Sequence, residues 1–279
     1  MVQIKKERTK KLLSEKRILV CGKGGSGKST IVTLMANALH EKGYKVLALD
    51  GDASNPEGLL RLMFGLGEKE APKALIKFFG GTGVVTCPVD DPAPLTRVGD
   101  STPVLEKKID IRGEIPSEYF IQRETTVLFQ AGKIERYGQG CDGPIEKVVR
   151  DFMVKGEWVN LIDIKAGVEH FGRKIAENVD IILTILDPNP ESISVANRIG
   201  NFCKEMGQKN FWLILNKVGS KDIESKVIDR LGESKSKIIG SVYCDQKVTE
   251  LALDGIPLDK CKALEDMERI VEKLEKIIS

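Results

Sequence analysis

At 279 residues the chain is longer than a typical domain of about 150, but α/β units of about 200 to 250 residues are common, so one large domain is expected. Its 41% hydrophobic and 30% charged residues exclude a disordered chain. With 43 Lys and Arg against 41 Asp and Glu, no global field would draw it to nucleic acid or anionic lipid. Six cysteines with no C-x-x-C pair, no zinc-ribbon spacing and no secretory signal before them are expected as reduced thiols in the cytoplasm. Apolar runs such as Ile181–Leu186 are strand-sized, short of the eighteen or so residues of a membrane span.

In chain order, residues 1–16 carry Lys5, Lys6, Lys10 and Lys11 and predict a basic extension, a solvated helix or frayed tail before the domain proper at 17–279. Apolar runs predict strands at 17–22, 45–50, 125–129, 158–163, 180–186 and 211–216, with a weaker one at 238–242. Helical periodicity predicts helices at 29–41, 144–154, 192–206 and 221–231. A last helix at 264–278 places Leu264, Met267, Ile270, Val271, Leu274 and Ile278 on one core-facing stripe. Residues 65–124 hold six prolines and no strong period, which predicts an irregular, partner-facing or switch insertion. This alternation predicts a seven- or eight-stranded, mostly parallel sheet with helices on both faces.

The sharpest motif is Gly22-Lys23-Gly24-Gly25-Ser26-Gly27-Lys28-Ser29-Thr30, a G-x-x-x-x-G-K-[ST] pattern between a predicted strand and a predicted helix. Glycines let successive backbone N–H groups face phosphate oxygens, and the helix N-terminus adds partial positive charge. Lys28 is expected on the β and γ phosphates of ATP and Ser29 in the Mg²⁺ shell. A second apolar run ends in Asp50-Gly51-Asp52 and a third in Asp163-Ile164-Lys165-Ala166-Gly167, all at the carboxyl edge where parallel sheets bind ligands.

The extra lysine, Lys23, makes the loop K-G-G-x-G-K-[ST]. It resembles the deviant Walker A ATPases, the class of MinD, ParA, the nitrogenase iron protein and the nickel-insertion ATPases of carbon monoxide dehydrogenase. The resemblance implies a P-loop NTPase fold and ATP hydrolysis by a homodimer, with Lys23 contacting the phosphates held by the other subunit. It implies that Asp52 orients the attacking water. Asp163 would hold Mg²⁺ through water, as a Walker B residue, and Ala166 and Gly167 would sense the γ-phosphate. Asn216, followed by Lys217, would read the adenine edge. Gly219 stands where guanine-specific proteins carry aspartate, which favours ATP. Tyr243 and Asp245 are expected near the base or ribose.

Residues 163–173, D-I-K-A-G-V-E-H-F-G-R, closely resemble the D-x-E-A-G-x-E-H-F-G-R signature of the nickel-insertion ATPases for carbon monoxide dehydrogenase and acetyl-CoA synthase, with Lys165 in place of glutamate. Those ATPases have C-x-C where this chain has Cys141-Asp142-Gly143. Cys141 also matches the first cluster cysteine of the nitrogenase iron protein, and His170 stands at the position of the second. Cys141 is therefore a candidate thiolate for Ni²⁺, Zn²⁺ or an iron–sulfur cluster at a dimer interface, with His170 or Asp142 as further candidate ligands. A buried inert thiol is the plain alternative. The resemblance implies an ATP-gated factor for metallocofactor assembly, with a client such as carbon monoxide dehydrogenase or acetyl-CoA synthase. The alternatives are an electron donor with a subunit-bridging cluster and a positioning ATPase of the MinD and ParA kind. Positioning ATPases usually carry a membrane-seeking terminal helix or a basic DNA-binding face, and neither is evident, so neither membrane nor nucleic acid is expected as a partner.

Overall fold

The computed structural model describes residues 11–279. Lys5, Lys6 and Lys10 of the expected basic extension lie outside the described residues. Lys11 lies within them, its Nζ donating to the Gly43 carbonyl and standing over the Tyr44 ring. Eight strands form one sheet: β1 (Arg17–Gly22), β2 (Lys45–Gly51), β3 (Phe120–Arg123), β4 (Thr126–Gln130), β5 (Trp158–Ile164), β6 (Ile181–Leu186), β7 (Phe211–Val218) and β8 (Ile238–Tyr243). Their order is β3-β4-β2-β5-β1-β6-β7-β8. Every described pairing is parallel except β3 with β4.

The helices are α1 (Lys28–Glu41), α2 (Gly58–Phe64), α3 (Leu75–Phe78), α4 (Ile111–Glu114), α5 (Gly143–Asp151), α6 (Glu169–Gly172), α7 (Pro190–Glu205), α8 (Lys221–Arg230), α9 (Gln246–Asp254) and α10 (Lys262–Ile278). Because successive strand side chains point to opposite faces, Leu19, Leu47 and Leu49 enter one core with Val148 and Val149 of α5 and Ala196 and Ile199 of α7. Val20, Val46 and Ala48 enter the other with Leu34 and Met35 of α1 and Met267, Ile270, Val271 and Leu274 of α10. Burial on both faces is why these strands read as unbroken apolar runs.

Residues 65–124 are mostly turns and loops. They contain α3, α4 and the antiparallel edge strand β3, and they bury Leu75, Phe79, Leu95, Val104 and Ile109 in the α5 face of the core. Among the described residues no helix is long and apolar enough to cross a membrane.

The order of strands fixes the site. β1 lies between β5 and β6, and the chain leaves β1 toward β2 on one side and reaches β6 on the other. Ligands of open parallel sheets bind at such a reversal, outside the strand carboxyl ends. The register sets Val20 and Asp50 level with Asp163, so three strand ends meet there.

Candidate functional site

The loop leaving β1 is shaped by glycine. Gly22 has φ 141° and Gly27 φ 92°, conformations that side-chain-bearing residues rarely adopt. A Cβ on Gly22 would stand 2.3 Å from the Ile185 carbonyl oxygen. The loop is braced from β7: Asn216 Nδ2 donates to the Ser26 carbonyl at 2.8 Å and Lys217 Nζ to the Gly25 carbonyl at 2.7 Å. Lys217 reaches that carbonyl from φ 58°, where β7 and β8 slip register. Lys28, at the start of α1, is buried, its Nζ making a 3.4 Å contact to the Lys23 carbonyl.

Three carboxylates gather beside this loop. Ser29 Oγ donates to Asp163 Oδ2 at 2.5 Å, while Asp163 Oδ1 is buried without a partner among the described residues. Burial, and then the charge of Asp50, push the Asp163 carboxyl up to about 7, with the Ser29 bond and Lys28 opposing. Asp50 is fully buried and also raised by burial, with Lys133 opposing it. Lys133 Nζ donates to Asp50 Oδ2 at 2.9 Å and to the Asp52 carbonyl at 2.7 Å. Asp52 itself is half-buried, its Oδ1 accepting from Ser54.

Beside them opens a pocket of about 450 Å³ whose walls include Gly24, Gly25, Gly27, Lys28, Ser29, Thr30, Asp52, Lys165 and Ala166. One wall is the turn after β5. Gly167, at φ 118°, donates its N–H to the Gly22 carbonyl at 3.3 Å and so ties this turn to the phosphate loop. Lys165, the departure from glutamate, pairs with Asp142 at 3.3 Å, and Arg173 pairs with the same carboxylate at 2.7 Å. Burial works against the Asp142 carboxylate, but Arg173 and Lys165 outweigh it and hold its pKa below the usual range.

His170 is buried in this network and does not offer a free nitrogen. Its Nδ1 bonds Glu146 Oε1 at 2.5 Å and its Nε2 faces the Ala166 carbonyl at 3.4 Å. Burial alone would lower its pKa, but the Glu146 bond and charge raise it. Asp142, the other further ligand, is likewise committed, whereas Cys141 is exposed. Among the described residues no cluster of three or more His, Cys, Asp or Glu has metal-holding geometry.

Other expected residues lie apart from the pocket walls. Asn216 is buried behind the loop as its brace. Tyr243 OH donates to Glu224 at 2.6 Å, and Asp245 caps α9 through Lys247 N and accepts from Ala263 N. Those internal bonds engage both side chains. Lys23 pairs with Glu191 at 3.3 Å. Lys133 was not legible in the sequence as a site residue, because a lone lysine three residues past β4 carries no spacing signal.

The geometry is that of a glycine-rich loop at the start of a helix facing a group of buried and half-buried carboxylates. Residues 18–258 match the CobQ/CobB/MinD/ParA nucleotide binding domain family. The chain belongs to this family. It is therefore a P-loop ATPase domain, and its relatives sort within that class. An uncharacterized ATP-binding protein of Methanocaldococcus jannaschii is 32% identical over 264 residues, 93% of this chain and all of that one. The carbon monoxide dehydrogenase accessory protein CooC of Rhodospirillum rubrum is 29% identical over 239 residues, 83% of this chain and 85% of that one. The MinD septum site-determining protein from Pyrococcus horikoshii, solved with Mg-ADP, aligns with TM-score 0.63 at 20% identity over 94% of this chain and 96% of that chain. At that identity the MinD likeness shows the fold alone.

Proposed function

We propose that this family member is a cytoplasmic, nucleotide-gated homodimer that hydrolyses ATP to assist metallocofactor assembly, delivering a thiophilic metal or cluster to a client enzyme of the carbon monoxide dehydrogenase kind. The observation that carries the reading is the double ion pair at Asp142. Lys165 lines the nucleotide pocket and Arg173 follows α6; both grip the carboxylate next to Cys141. A phosphate entering the pocket competes for Lys165, so occupancy of the pocket is felt at the cysteine. The likeness to an accessory protein of carbon monoxide dehydrogenase supports the choice of client.

Within this reading Lys28 binds the β and γ phosphates, and Ser29 with Asp163 holds Mg²⁺, which supplies charge neutralisation to the transferred phosphoryl group. The residues present fit a cation: the Asp163 oxygen left without a partner is what an ion or its water would satisfy. Asp52 orients the attacking water. Asn216 spends its amide N–H on Ser26 and keeps Oδ1, an acceptor for the adenine amino group. Lys23 crosses to the partner's phosphates. Its pair with Glu191, a largely exposed carboxylate, is worth about 0–1 kcal/mol and would not hold it back.

Anaerobically prepared dimer should bind about one Ni²⁺ or Zn²⁺, and Cys141→Ser should abolish that binding. Asp142→Ala should leave nucleotide and metal binding in place but erase the effect of ATP on metal affinity. Metal binding unchanged in Cys141→Ser would end the assembly reading.

A further inference from the structure

The chain has glycine where its relatives' resemblance would place a second cysteine, yet a second sulfur stands at that spot. The point a Cβ on Gly143 would occupy is 2.5 Å from Cys87 Sγ and 3.4 Å from Cys141 Sγ. Both thiols are free, Cys141 exposed and Cys87 half-buried. We infer that Cys87 and Cys141 form one dithiol site for a thiophilic divalent cation, Cys87 replacing a sulfur at position 143. The inference rests on the metal-handling reading above.

The segment carrying Cys87 is held in place. The Cys87 carbonyl accepts from Asp90 N and Asp91 N at 3.0 and 2.9 Å. Asp91 in turn accepts from Thr86 Oγ1 at 2.8 Å and from Lys147 of α5 at 2.8 Å, a lysine that is itself buried. The sulfur is therefore docked at the N-terminus of α5, the end of a helix that favours negative charge. Metal–sulfur bonds are about 2.3 Å. Two sulfurs so near one point reach a shared ion by side-chain rotation alone, each thiol releasing its proton on binding.

The other thiols are poorer candidates. Burial pushes Cys21 and Cys203 up to about 12, and Cys244 and Cys261 lie past β8. With Asp142 and His170 committed elsewhere, each chain offers two protein ligands and leaves the rest to water or a second copy. Structural zinc sites are closed by four protein ligands, whereas a site with fewer keeps positions open to water or an incoming ligand.

The test uses the full-length chain, reduced and anaerobic. Zn²⁺ affinity is measured against a competing chelator, and Co²⁺ binding by its thiolate charge-transfer absorption. Cys87→Ser and Cys141→Ser should each lower the absorption by about half or more and weaken Zn²⁺ by at least about tenfold. Gly143→Ala should weaken it with both sulfurs kept, because the new methyl group takes the space of Cys87 Sγ. Cys261→Ser should change nothing, and retained Mg-ADP binding certifies the fold of each variant. If Cys141→Ser loses the metal while Cys87→Ser binds like wild type, the paired site is wrong and the metal-handling reading survives. If neither substitution matters, both fall.

Discussion

Asp163 and Asp50 show how burial sets chemistry one residue at a time. Burial and the Asp50 charge push the Asp163 carboxyl up to about 7 in the fold, against the usual carboxylate range once unfolded. The fold therefore holds its proton more tightly, and this group's contribution to stability is fullest in acid and fades as pH climbs toward 7. A bound cation wants the opposite, the carboxylate. Affinity for Mg-ADP should fall by up to about tenfold per pH unit below 7, while ADP titrated calorimetrically without Mg²⁺ should show a flatter profile. Asp50 survives buried because Lys133 neutralises it. Lys133→Met strands that charge and should cost about 3 kcal/mol by urea denaturation, less at pH 5 than at pH 8 because protonating Asp50 relieves the penalty. The loop residues and Asp163 were legible because each belongs to one contiguous motif. Lys133 and Cys87 were not, because only the return of β4 and of residues 65–124 brings them to the site.

Among elements, those with long periods or both-face burial were plain in the sequence. The stripe expected on the last helix is the buried face of α10, where Met267, Val271 and Leu274 are fully buried against α1 and β8. Met267→Ala should therefore cost about 2–5 kcal/mol in urea denaturation, through lost burial and the cavity left behind. β3 escaped because its four residues are half-buried or exposed and carry no alternation. α9 escaped because Leu251 is its one described buried residue. Its cap is Asp245, whose side chain accepts from the Lys247 and Ala263 backbone N–H groups. Short polar side chains serve caps and ligands with the same oxygens, so sequence alone does not separate the two uses.

For the molecule as a whole, strand order places a phosphate loop, three carboxylates and a turn linked to Cys141 at one edge of one sheet. Exposed apolar side chains flank both cysteines in sequence, Val84 and Val89 about Cys87 and Ile134 and Tyr137 ahead of Cys141, a composition suited to a face that is covered during work. In the proposed dimer the loop beginning at Gly22 holds a triphosphate whose charge is shared between two copies of the chain. Calorimetric titration with Mg-ATP, run beside sedimentation of the wild type, Lys23→Ala and Lys28→Ala, tests it most directly. Wild type should release heat and sediment as a dimer, Lys28→Ala should do neither, and Lys23→Ala should bind nucleotide yet stay monomeric. No heat from the wild type, or a Lys28→Ala chain that behaves like it, would rule out that shared triphosphate.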